Sequence, residues 1–122
     1  MRHFKISEFA SPDELTSSEN MDPVFLEMID QAREIAGIPF FITSGFRTVA
    51  HSRDLVSKGY PVAKHSAHLT GHAADIKAVT SRHRFRIITA LLEAKFERIG
   101  IGPDFVHCDN SPTKAGRVIW TY

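Results

Sequence analysis

Ser66-Ala67-His68-Leu69-Thr70-Gly71-His72-Ala73-Ala74-Asp75-Ile76 is the stretch whose reading decides the fold. It holds a histidine and a carboxylate, His68 and Asp75, with six residues between them. Imidazole nitrogen and carboxylate oxygen both ligate zinc well. Gly71 supplies a tight turn, because it takes positive φ at no steric cost. The run Ala73 to Val79 then reads as a strand. Ala74, Ile76 and Ala78 lie on one face, and Ala73, Asp75 and Lys77 on the other. A charge inside so apolar a run is costly unless it is paired or metal-bound. Spacing alone leaves two readings open: a metal pair, or a surface histidine beside a strand-end carboxylate in an ordinary hydrogen bond.

A third ligand is available in Gly102-Pro103-Asp104-Phe105-Val106-His107-Cys108-Asp109. His107 sits in a short apolar run, so it is expected to be buried and to need a partner. Two histidines and one carboxylate, with a fourth position open to water, form a catalytic zinc arrangement. Other candidates stand near these residues. His65 precedes His68 by three and rivals it if the loop turns as a helix. His72 points away from Asp75 by alternation. Cys108 neighbours His107, but adjacent strand side chains face opposite ways, so it reads as a small buried hydrophobe.

Three blocks in order resemble the zinc D-alanyl-D-alanine peptidases of the hedgehog/D,D-peptidase group, and most of all their small phage endolysin-type members. The blocks are Ser44-Gly45-Phe46-Arg47-Thr48, then Ser66-Ala67-His68 with Gly71, Ala73 and Asp75, then Asp104-x-x-His107. Phe4 to Phe9 and Arg117 to Tyr122 are similar to the ends of those proteins. The resemblance implies an α+β fold, a small antiparallel sheet with helices packed on it. It implies one zinc per chain, held by His68, Asp75 and His107. It also implies hydrolysis of a peptidoglycan stem-peptide bond involving a D-amino acid, of the D-Ala-D-Ala or the L-Ala-D-Glu type. In that reading Asp104 moves the proton. Arg47 binds substrate and steadies the developing oxyanion, a role that suits a rigid, permanently charged fork of donors. Ser66 orients a ligand or binds substrate. Strand alternation instead favours Asp109 as the carboxylate beside His107, where it could accept a hydrogen bond from the ligand's second nitrogen. The alternative function is a catalytically silent hedgehog-like zinc domain that acts as a binding module.

Composition is consistent with this reading. The 122 residues are expected to form a single domain, 1–122, large enough for a real core. Hydrophobic residues make up 43% and charged residues 24%, ordinary values for a globular chain. A net charge of +1 with dispersed Lys and Arg argues against a nucleic-acid footprint. One cysteine excludes an internal disulfide. No apolar run approaches the roughly 20 residues of a membrane span, and Met1 to Ala10 lacks the apolar core of a signal peptide. The expectation is a monomer made in the cytoplasm, reaching the wall by assisted release or as part of a virion.

The remaining elements follow from pattern. Residues 1 to 21 read as an arm pinned by Phe4, Ile6 and Phe9. Asp22 caps a helix with Pro23 at its first position and Gly37 at its end. Its apolar face is Val24, Phe25, Met28, Ile29, Ala32, Ile35 and Ala36. Phe40 to Ser44 reads as a central strand. Thr48 to Lys58 is a short helix with Val49, Leu55 and Val56 as contacts and His51 facing solvent, closed by Gly59-Tyr60-Pro61. Ser81 to Phe96 is a third helix, buried through Phe85, Ile88, Leu91, Leu92 and Phe96. Its basic start, Arg82, His83, Arg84 and Arg86, opposes the helix dipole. Arg98 to Gly102 pairs with Phe105 to Cys108 through a tight turn. Asn110 to Gly116 is a loop, and Val118 to Tyr122 is an edge strand.

Overall fold

The structure is a computed structural model and describes residues 1–60 and 62–122. Pro61, expected to help close the second helix, lies outside the described residues.

The first helix, α1, spans Pro23–Ala36. It starts where expected, because the Asp22 side chain accepts from the Phe25 N–H at 2.9 Å. It stops where expected too, because Gly37 takes the left-handed conformation at φ 66°. Its buried stripe is Phe25, Leu26, Ile29, Ala32 and Ala36. Val24 and Ile35, expected on that stripe, face solvent instead. Leu26 is buried in their place. Phe4 and Phe9 anchor that arm, while Ile6 is exposed. Phe4, Phe9, Phe25 and Phe96 form a run of edge-on contacts with centroids 5.2, 6.4 and 5.7 Å apart.

The second helix, α2, spans Val49–Ser57 and is capped by Thr48. It buries only Ser52, and Val49 and Val56 are exposed rather than packed. The third, α3, spans Ser81–Glu93 and is capped by Thr80. Its buried residues are Ile87, Ala90 and Leu91, while the expected Phe85 and Leu92 are exposed. Two apolar stripes compete on this helix. The one carrying alanine lets α3 approach α1 closely, and that stripe faces inward. The helix ends before Phe96 because Lys95 turns left-handed at φ 76°. The Phe96 N–H then returns to Leu91 O at 3.0 Å and the Lys95 N–H to Leu92 O at 3.1 Å. The basic first turn has structural partners. Arg84 donates to Pro103 O, and Arg86 donates to Ala36 O, satisfying a carbonyl at the end of α1.

Five strands form one sheet: β1 (Ile42–Ser44), β2 (Ala73–Lys77), β3 (Arg98–Ile101), β4 (Phe105–Asp109) and β5 (Val118–Thr121). Their order is β1-β2-β4-β3-β5. All pairings are antiparallel except β3 with β5, which is parallel. The sheet is therefore mostly antiparallel, as an α+β fold with helices on one face. β1 is an edge strand and not the expected central one. Only Phe40 beside it is fully buried, and Phe41 is exposed. The other edge is β5, as expected. Cys108 is buried in the core with Ile76, Ile99 and Val106. Among the described residues, no helix is long and apolar enough to cross a membrane.

Gly71 ties the sheet to α1. Its φ is 76°, and the Asp22 N–H donates to its carbonyl at 2.9 Å. A Cβ at Gly71 would lie 2.0 Å from Asn20 O. Gly59 has φ 86° with nothing within 4 Å of an added Cβ. Gly59→Ala should therefore cost only the left-handed penalty, about 1–2 kcal/mol. Gly71→Ala should cost clearly more, because backbone must move. Urea midpoints of the two variants check this; equal losses would show that the Asn20 contact is unimportant.

Candidate metal centre

The register of the sheet writes one row of residues across its open face. Ser44 pairs with Asp75, Asp75 with His107, His107 with Gly100, and Gly100 with Trp120. Paired residues in neighbouring strands point to the same side. Asp75 and His107 are thus neighbours because β2 and β4 are neighbours. His68 comes from a tight 3-10 turn, Ala67–Thr70, that leads into β2. Ser66 caps that turn, its hydroxyl accepting from the His68 N–H at 3.2 Å.

His68, Asp75 and His107 are all buried, and their ligand atoms lie within 4.8 Å of one another. His68 Nε2 is 3.2 Å from Asp75 Oδ1, and His107 Nδ1 is 2.9 Å from the same oxygen. The outer nitrogen of each ring is held by an acceptor. His68 Nδ1 donates to Gly45 O at 2.7 Å. His107 Nε2 donates to Asp109 Oδ2 at 2.7 Å. The Gly45 carbonyl can only accept, so His68 Nδ1 carries the proton and a neutral His68 presents its Nε2 lone pair to Asp75. Burial pushes the His68 pKa down, against the pull of Asp75. His107 lies between two carboxylates, Asp75 and Asp109. Two imidazoles and one carboxylate oxygen converging here are a donor set that fits a divalent metal.

The surroundings fix these rings. Asp109 Oδ1 accepts from Arg98 Nε at 2.8 Å and from the Ser111 N–H at 3.1 Å. Burial works against charge on His107, but Asp109 and Asp75 together raise its pKa. Burial likewise works against charge on Asp75, yet the His107 and His68 rings beside it hold it well below the carboxylate range. Arg47 follows β1 and is largely buried. Its Nε donates to Ser44 Oγ at 3.0 Å, and its terminal nitrogen lies 3.5 Å from Asp75 Oδ2. The Arg47 N–H also donates to His68 O at 3.0 Å, which binds this segment to the histidine turn.

The other candidates fall elsewhere. His65 is exposed. His72 is partly exposed, and its Nδ1 lies 2.9 Å from Thr70 Oγ1. Asp104 is exposed, in the bend that precedes β4. Alternation puts Phe105, His107 and Asp109 on the open face, and it does not fix the direction of Asp104, which lies outside the strand. Arg98, Trp120 and Tyr122 were not among the expected site residues. Trp120 packs on His107 with centroids 5.4 Å apart, and the Arg98 guanidinium lies 4.9 Å from the centroid of the Trp120 ring. The alternation Trp120-x-Tyr122 was the available signal, but it pointed to no strand neighbour.

Fold and site together define a small α+β protein with a buried His-Asp-His cluster on one sheet face that could hold a metal. A model of the Peptidase M15 family matches residues 2–109, and the chain belongs to that family of peptidases. Its structure is similar to that of the Serratia marcescens L-Ala D-Glu endopeptidase ChiX, with a TM-score of 0.55 and 26% identity. The likeness covers 62% of each chain, so this chain spans under two thirds of that protein. A search of the curated proteins finds no match.

The purified chain should bind one divalent metal ion, read by elemental analysis. His68→Ala and His107→Ala should lose it, and His65→Ala should keep it. Asp109→Asn should weaken metal binding about 10–100-fold, the usual effect of removing a ligand's outer partner. Undiminished metal in both histidine variants would sink the assignment of the centre.

Proposed function

We propose that this chain is a zinc-dependent peptidase that hydrolyses a bond of the peptidoglycan stem peptide involving a D-amino acid. The observation that carries the reading is the three-ligand cluster itself, with both histidines held by outer acceptors in a chain of the M15 family. Two nitrogens and one oxygen suit zinc, and the site is on an open face that a peptide can reach. The solved structure it resembles is an L-Ala D-Glu endopeptidase, which supports the L-Ala-D-Glu bond over the terminal D-Ala-D-Ala bond.

Zinc, when bound, supplies a Lewis acid and a water of lowered pKa. The chain's residues do the rest. His68, Asp75 and His107 hold the ion, and Asp109 with Arg98 fixes the His107 ring. Arg47, steadied by Ser44 and Asp75, offers its remaining donors to a substrate carboxylate or a developing oxyanion. The family resemblance gives the proton transfer to Asp104, which sits exposed in the bend before β4. Among the described residues, the carboxylates that touch the two histidines are Asp75 and Asp109. We keep Asp104 as the proton-transfer residue; that the carboxylates touching His107 are Asp75 and Asp109 is the one observation that favours a second reading, a zinc domain that binds the stem peptide without cutting it. A phage-type lysis role belongs to the main proposal, and purified protein added to permeabilised Gram-negative cells should then lyse them.

Mass spectrometry of purified peptidoglycan incubated with the zinc-loaded protein decides between the readings. The proposal expects new termini at a single stem-peptide bond; intact stems together with retained binding would establish the silent domain. In the same assay Asp104→Asn should lose about 10²-fold in rate, the scale of general-base catalysis; a rate within about threefold of wild type would remove Asp104 from the mechanism.

A further inference from the structure

The row of residues that carries Asp75 and His107 continues past the metal ligands to Gly100 and Trp120. Gly100 is the only position in that row without a side chain, and two aromatic rings occupy the space. A Cβ there would lie 2.8 Å from Trp120 Cε2 and Nε1, and 2.9 Å from Tyr122 Cε2. Both rings therefore lean over β3 towards His107 rather than standing upright on β5. Phe105 supports Tyr122 from below, with centroids 5.1 Å apart. The Tyr122 N–H holds the chain end to Ile101 O at 3.2 Å. Tyr122 nonetheless remains 59% exposed, so its ring edge is free to meet another molecule. Its phenol is close enough to Asp75 and Arg47 to feel their charges, beyond the burial that raises its pKa. Trp120 and Tyr122 lie beyond the residues matched to the family.

These facts describe a sheet face with two unlike sides. On the β1 side stands the Arg47 guanidinium. On the β5 side stands an aromatic wall with one hydroxyl donor. We infer that Tyr122 is a substrate-contacting residue: its ring and that of Trp120 form the wall against which the stem peptide lies, and its hydroxyl donates to a peptide carbonyl or carboxylate oxygen. Gly100 is the residue that lets the wall reach the centre. An aromatic with a polar tip suits this place, since a peptide strand offers both apolar surface and oxygens. The inference rests on the peptidase reading for the identity of the ligand.

The chain's one tryptophan is Trp120, so its fluorescence reports this wall alone. The test titrates the zinc-loaded full chain with a soluble stem peptide whose L-Ala-D-Glu amide is reduced to an amine and cannot be cut. Wild type should show a saturable change in emission. Tyr122→Phe should bind about 10-fold more weakly, as expected for one lost hydrogen bond to a charged or strongly polar group. Gly100→Ala should shift the emission before any peptide is added and weaken binding at least as much. With peptidoglycan as substrate, Tyr122→Phe should raise KM about 10-fold and leave kcat within about threefold. Equal Kd in wild type and Tyr122→Phe, or no emission change in wild type, overturns the inference. If wild type binds the peptide through Tyr122 but cuts no peptidoglycan, the hydrolytic reading fails and this one stands. If wild type cuts and Tyr122→Phe matches it in KM and Kd, this one fails alone.

Discussion

A carboxylate buried in a sheet must be met by positive charge, and Asp75 is such a carboxylate. It is 8% exposed and shares one oxygen between two imidazole nitrogens. Left unpaired, a buried charge of this kind would cost several kcal/mol. The elements around it meet that demand. β4 pairs with β2 and brings His107. The capped turn before β2 brings His68. The segment after β1 brings Arg47 to the other oxygen. The same residues that meet Asp75 bring two imidazoles and a carboxylate oxygen to one point, a donor set that could hold a metal.

Main-chain contacts make that preparation rigid. The Gly45-Phe46-Arg47 segment is held from both sides. The Phe46 N–H reaches Phe9 O at 2.8 Å, and the Arg47 N–H reaches His68 O. Gly45 allows the first approach, since a Cβ there would lie 2.5 Å from Phe9 O. The N-terminal arm is thus part of the site's support and not a loose extension. Its aromatic anchors, Phe4 and Phe9, connect through Phe25 to Phe96 behind the sheet. Ligand geometry at such a centre depends on rings that cannot turn, and here each ring is fixed by an outer acceptor that is itself part of the backbone or of a buried ion pair.

The site is also asymmetric across the sheet. At the β1 edge the chain offers a cation, and at the β5 edge it offers aromatic surface. β5 joins in parallel to β3, which sets Trp120 beside Gly100. Had β5 paired one residue out of step, alternation would have sent Trp120 to the helical face and left the open face without its wall.

The sequence by itself determined the local chemistry. Asp22, Pro23 and Gly37 marked both ends of α1, because caps depend only on nearby backbone. His68, Gly71 and Asp75 announced a turn feeding a strand with a charge in it, and Asp104 to Asp109 announced a second strand with a histidine. Family resemblance joined these pieces into a zinc peptidase expectation. What remained hidden depended on contacts between distant segments. α3 carries two apolar stripes of similar hydrophobicity, and only packing on α1 chose Ile87, Ala90 and Leu91 over Phe85 and Leu92. β1 reads as a buried strand, yet strand order put it at an edge. Asp104 and Asp109 are both aspartates a few residues from His107. The strand brought Asp109 to His107, because residues two apart share a face, whereas Asp104 precedes β4 and takes its direction from the bend. Trp120 gained its place beside the metal ligands only through the pairing of β5 with β3, a long-range choice that no local pattern encodes.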